Sequence, residues 1–211
     1  KNITRAVCST VVTGESGLIN IVGSHSFVGG GQCNFIDTPD SVIVGGGCNA
    51  ICNNGANGNQ FIGGGYQNCV VGGTGPGNVV VGGFTNLVTG NGYNTIVGGQ
   101  SNDITSCAQY SVVAGGKNNW ICGVAGTGGN CGTIAGGDNN RMHQRFGTIE
   151  GGHCNRICNT GGTLASYISG GLIAGGTCNN ILSGGPGNVI TGGSCNWIES
   201  TNAQFSYVGG G

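Results

Sequence analysis

Apolar residues in this chain come singly, each a fixed step from a glycine pair and from an asparagine. The stretch "SVIVGGGCNAIC", residues 41 to 52, shows the unit: Ile43, then Gly45 and Gly46, then Asn49, then Ile51. The string returns with first glycines at Gly30, Gly45, Gly64, Gly82, Gly98, Gly115, Gly136, Gly151, Gly175 and Gly192, and a truncated copy opens at Gly210. Two residues before each pair stands Val28, Ile43, Ile62, Val80, Ile96, Val113, Ile134, Ile149, Ile173, Ile190 or Val208, β-branched in every case. Four residues after the first glycine come Asn34, Asn49, Asn68, Asn86, Asn102, Asn119, Asn140, Asn155, Asn179 and Asn196. Two further on stands an aliphatic residue or, once, Met142.

An amphipathic helix needs apolar residues at i, i+3 and i+4 and few glycines. Isolated aliphatics on either side of a Gly-Gly corner predict instead two short strands per repeat, "xIx" and "NxI". Copies 15 to 24 residues apart are the signature of a solenoid, in which each coil contacts mainly its neighbours. The expected fold is all-β: a repeat β-solenoid or β-roll of about ten two-strand coils over residues 26–211. Residues 1–25 read as a degenerate first coil or cap, with Leu18, Ile19 and Ile21 inward. The chain opens on Lys1 rather than Met and stops inside a "VGGG" unit, so the repeat is expected to continue in a longer protein.

Spacing varies almost wholly between the late aliphatic residue and the next β-branched one, which makes one edge of each coil a tolerant loop. Glycine inside a strand costs entropy and packs nothing. Its return at one place in every coil predicts a corner that needs positive φ or a close backbone approach. The recurrent Asn carries an amide that both donates and accepts, so it is expected to bond the same amide in the coils above and below as a structural ladder.

Composition narrows the class further. Fifty glycines in 211 residues far exceed the average share of about 7%. The regular supply of Ile and Val argues against simple disorder, and three prolines without a three-residue glycine period exclude collagen. Six Lys or Arg against seven Asp or Glu, for a net charge of −1, leave no polybasic face for a phosphate backbone, so no nucleic-acid partner is expected. No apolar run approaches the length of a membrane span, and no secretory signal of the usual layout is present.

Strings such as "NTIVGGQSNDI" (94–104), "SVVAGGKNNWI" (111–121) and "NVITGGSCNWI" (188–198) resemble the Gly-rich repeats of phage and large-virus fibre proteins, which are similar in turn to the head repeats of trimeric autotransporter adhesins. The resemblance covers about residues 26 to 211 and implies a trimeric β-prism-like fibre used at an extracellular or virion surface, with a host glycan or receptor as its partner. Independently, two aliphatic side chains per coil and many outward Val and Ile predict that copies bury a second face against one another, around a three-fold axis.

Five of the 12 cysteines (Cys33, Cys48, Cys154, Cys178 and Cys195) directly precede the ladder Asn, and Cys52, Cys122 and Cys158 follow the late aliphatic residue. Stacked coils would bring equivalent cysteines to about 4.8 Å, near the lower end of disulfide Cα spacing. Cys33 with Cys48 and Cys178 with Cys195 are the candidate bridges, and packing as small buried thiols satisfies the same spacing. Abundant cysteine fits an oxidising location. No "CxxC" occurs and His25, His143 and His153 are scattered, so no metal or other cofactor is expected.

The densest charge is "RMHQRFGTIEGGHCNR", residues 141–156. It reads as a solvated edge, an anion or glycan contact, or an acid/base pair of Glu150 with His153. Trp120, Trp197, Phe84 and Tyr66 read as packing or as sugar-stacking rings. No pair of carboxylates suits glycoside hydrolysis, so the chain is expected not to be an enzyme. A structural fibre or adhesion protein is the favoured function. The alternatives are an ice-binding solenoid and a tailspike-type polysaccharide depolymerase.

Overall fold

Val and Ile suit a pleated, half-buried surface, and the glycines and polar residues around them stop each strand after two to four residues. The computed structural model describes residues 3–4, 8–12, 14–15, 18–19, 24–52, 58–72, 75–105, 107–123, 131–158, 170–183, 185–200 and 203–211. Most of the variable loop segments, and Ile21, lie outside these residues. The chain is all-β, a β-solenoid of stacked parallel strands. Among the described residues no helix is long and apolar enough to cross a membrane.

The chain divides into two compact units, Lys1–Ser101 and Asn102–Gly211. In the first, one sheet runs through Ile3–Thr4, Leu18–Ile19, Phe35–Ile36, Ala50–Cys52, Cys69–Val71 and Leu87–Val88. Its second sheet runs through Thr10–Val11, Phe27–Val28, Val42–Ile43, Phe61–Ile62, Val79–Val80 and Thr95–Ile96. Within residues 1–25 the described strands Thr10–Val11 and Leu18–Ile19 already pair in register, with Ile19 opposite Ile36 and Val11 opposite Val28. The second unit repeats the plan, its first sheet holding Asp103–Thr105, Trp120–Cys122, Arg141–His143, Arg156–Cys158, Asn180–Ser183 and Trp197–Ser200. Each coil carries the chain from one sheet to the other and back, which supplies the crossover that parallel pairing requires.

Register follows the repeat. In the first unit Ile36, Ile51, Val70 and Val88 stack in one column, and Val28, Ile43, Ile62, Val80 and Ile96 in the other, all essentially inaccessible to solvent. These two aliphatic columns are the core. The expectation of two sides per coil needs one addition. The residue after each glycine pair bridges to its equivalents in a third, one-residue-wide side, through Gln32, Gly47, Tyr66 and Phe84 in the first unit and Asp138, His153 and Thr177 in the second.

The next residue then turns the chain. Cys48 there has φ 54° and Cys178 φ 55°, the left-handed region that costs a side-chain-bearing residue roughly 1–2 kcal/mol. Hydrogen bonds to the coil before hold the corner: the Cys48 N–H donates to the Gln32 carbonyl at 2.7 Å, and that of Cys178 to His153 at 2.8 Å. The two glycines of a pair serve different ends. Gly46 has φ +86°, and a Cβ there would collide with the Gly65 carbonyl of the next coil. Around Gly45 nothing lies within 4 Å of a built Cβ.

The Asn ladder is buried throughout except at Asn196, which is half-buried. Its bonding is richer than an amide-to-amide stack. Asn49 Nδ2 donates to the Gly45 carbonyl of its own coil and the Gly65 carbonyl of the next, both at 3.0 Å, while Oδ1 accepts the Asn68 N–H at 3.0 Å. Direct amide contacts, such as Asn68 Nδ2 to Asn49 Oδ1 at 3.2 Å, come in addition. In the second unit Asn140 repeats this set on Gly136, Gly152 and Asn155.

A second interior polar ladder, two residues before each β-branched position, escaped the sequence pattern because its residue type varies. The Ser41 N–H donates to Ser26 Oγ, Gln60 N–H to Ser41 Oγ, and Asn78 N–H to Gln60 Oε1, at 2.9–3.1 Å. In the second unit this column holds buried glycines at Gly132, Gly147 and Gly171. Met142 and Gln144 fill the space they leave: Met142 lies against Gly132 and Gly147, and Gln144 against Gly171.

Candidate anion-binding face

Strand side chains alternate between faces, so burying Met142 and Ile157 turns Arg141, His143, Arg156 and Cys158 outward. On the first sheet of the second unit, Trp120, Arg141, Arg156 and Asn180 are successive register partners, and His143 is the partner of Cys158. Trp120, Cys122, Arg141, His143, Arg156 and Cys158 line a groove of about 210 Å³. The Trp120 indole N–H donates to Thr105 Oγ1 at 2.9 Å, which fixes the ring. Both arginines are exposed.

His143 Nδ1 stands 3.8 Å from Cys158 Sγ. That contact draws the Cys158 thiol below its ordinary range against the opposing effect of burial, with help from Arg156. The same contact raises His143 despite its partial burial, and a hydrogen bond to the Gly123 backbone adds to the rise. Thiol and imidazole thus favour each other's charged forms. His143 occupies in its copy the position of Cys122 and Cys158, a signal in the repeat that sequence reasoning left unused.

The other candidates fall elsewhere. All twelve cysteines are free thiols. Cys33 and Cys48 meet side by side; burial and the neighbouring Cys48 both raise the Cys33 thiol. Cys178 meets both Cys154 and Cys195, so its proposed partner Cys195 is one of two. The diagonal pair Cys52 and Cys69, absent from the candidates, is also in contact: Cys69 S–H donates to Cys52 and draws it to about 7. His153 pairs with Asp138, Nδ1 to Oδ2 at 3.3 Å, rather than serving a Glu150 dyad, and Glu150 is exposed. Tyr66 and Phe84 stack on each other, 5.8 Å between centroids and 6° between planes. Among the described residues no group of three or more His, Cys, Asp or Glu could hold a metal ion.

No family model matches this sequence, and no curated protein matches it.

Proposed function

We propose that the chain is a structural or adhesion module of an extracellular or virion-surface fibre, working as a self-associated homotrimer or longer assembly. One observation carries this reading: at a single repeat position of the first unit, Val44, Val81 and Val97 stand 49, 47 and 46% exposed, with the Tyr66–Phe84 stack on the side next to them. A chain with so little charge needs those columns covered to stay soluble. The interior supports the same role. Each coil hands its ladder hydrogen bonds to the next, so coils add without new chemistry and the backbone is withheld from proteases. The outward column of the second sheet, with Val112, Thr133, Thr148 and Leu172 in succession, is mixed rather than the regular rank an ice-binding face uses.

Sedimentation of the reduced, dilute protein tests the proposal. A mass of three chains or a higher multiple is expected, and Val44→Lys with Val81→Lys should shift it to one chain. A well-folded monomer of the unmodified sequence under the same conditions overturns it.

A further inference from the structure

We propose that the groove between Trp120 and Arg156 binds an acidic saccharide, gripping the oxyanion of a carboxylate or a sulfate ester with the Arg141–Arg156 pair. The inference rests on the reading of this chain as a surface-attachment module and names what it would attach to. Arg141 and Arg156 are register partners on one sheet face, about 4.8 Å apart along the stack, where like charges oppose pairing. Among the described residues neither arginine pairs with a carboxylate, and Arg156 favours only the neighbouring Cys158 thiolate. Four of the six Lys and Arg residues lie in the second unit, and none occurs between Arg5 and Lys117. So scarce a charge placed side by side without a carboxylate is the arrangement an external oxyanion would neutralise, and the guanidinium fork matches its geometry.

The walls choose the class of ligand. Trp120 precedes Arg141 in register and its indole is tethered to Thr105, giving an apolar, pre-oriented wall of the kind on which a sugar ring stacks. His143 adds a donor beside the arginines, and its protonated form is favoured by Cys158. A volume of about 210 Å³ is below the roughly 300–1,000 Å³ of drug-sized sites. It suits one ring and its acidic group, with the rest of the saccharide lying along the sheet.

Calorimetric titration with a hyaluronan tetrasaccharide, a heparin tetrasaccharide, maltotetraose and inorganic sulfate tests this. The first two separate carboxylate from sulfate recognition. At least one acidic saccharide should bind, more weakly as salt rises, and maltotetraose should not. Arg141→Gln and Arg156→Gln should each weaken binding about tenfold, whereas Lys117→Gln should leave it within twofold. Trp120→Ala should weaken saccharide binding severalfold and leave inorganic sulfate unaffected.

A readout on the unmodified protein makes the result independent of how the variants fold. Cys158 should react faster with anionic iodoacetate, relative to neutral iodoacetamide, than Cys8 does, and the saccharide that binds should protect it. Binding of neither acidic saccharide, equal binding of maltotetraose, or affinity unchanged in the double Arg variant overturns the proposal. The mass of the same samples separates the two readings. A trimer that binds nothing removes only the groove assignment, and a monomer that binds removes only the assembly.

Discussion

The two units share one interior and wear different exteriors. In the first, outward positions of the first sheet hold Phe35, Ala50, Cys69 and Leu87; in the second, the equivalent column holds Trp120, Arg141, Arg156 and Asn180. The inward columns hardly change, because the aliphatic pair and the Asn ladder are held by bonds to the neighbouring coil. A solenoid therefore separates architecture from surface: what faces in is fixed by stacking, and what faces out is free to differ from coil to coil. The interior differs along the second polar ladder, continuous from Ser26 to Asn94 in the first unit and glycine at three successive coils in the second, where Met142 and Gln144 fill the space.

The largest expected effect tests whether the corner is the same in both units. Gly46→Ala and Gly137→Ala each place a Cβ against the carbonyl of the next coil at positive φ, and each should cost about 4 kcal/mol or more in urea unfolding. Gly45→Ala and Gly136→Ala, with open space around the Cβ, should cost well under half as much. Parity within a corner would show that the close approach is not what requires the second glycine.

Next in size is the ladder. Asn68→Ala removes the acceptor of the Asn86 N–H and the Nδ2 donor of the Gly64 carbonyl, while the Gly83 carbonyl keeps the Tyr66 N–H, and Asn140→Ala does the same at Asn155 and Gly136, while the Gly152 carbonyl keeps the Asp138 N–H. The buried Asn N–H left unpaired costs about 1–3 kcal/mol and each lost carbonyl bond about 1 kcal/mol, so losses of about 3 kcal/mol are expected from both. A twofold disparity between the two variants would break the claim of a common interior.

The smallest effect sharpens the interior difference. Thr38, two residues beyond Ile36, bonds Ser41 Oγ at 2.8 Å, whereas Gln144, two residues beyond Met142, is buried with both amide atoms unpartnered among the described residues. Gln144→Leu keeps the fill beside Gly171 and removes that penalty, and should raise stability by about 1 kcal/mol. Thr38→Val should lower it by a similar amount. A loss in the Leu variant, read by thermal melting, would show that the Gln144 amide has a partner.

Much of the coil was legible. Ile43, Gly46, Asn49 and Ile51 announced strand, corner, ladder and strand because each is the residue type its position demands in every copy. The second ladder was hidden because Ser, Gln, Asn and Gly all satisfy it, some by bonding and some by making room. The third side was hidden because a single bridging residue such as Tyr66 or His153 needs no particular side chain. The charged run 141–156 was visible as charge, but its parts went to different places: Arg141, His143 and Arg156 to one face, and His153 to Asp138.

By itself the sequence determined the repeat, the inward columns and the Asn ladder, since those depend on local spacing and on residue chemistry that recurs copy by copy. Only the tertiary structure decided which outward residues meet, because that depends on register between coils separated by loops of unequal length. Arg141 and Arg156, Cys158 and His143, and Cys178 with both its neighbours became adjacent only when the coils were stacked.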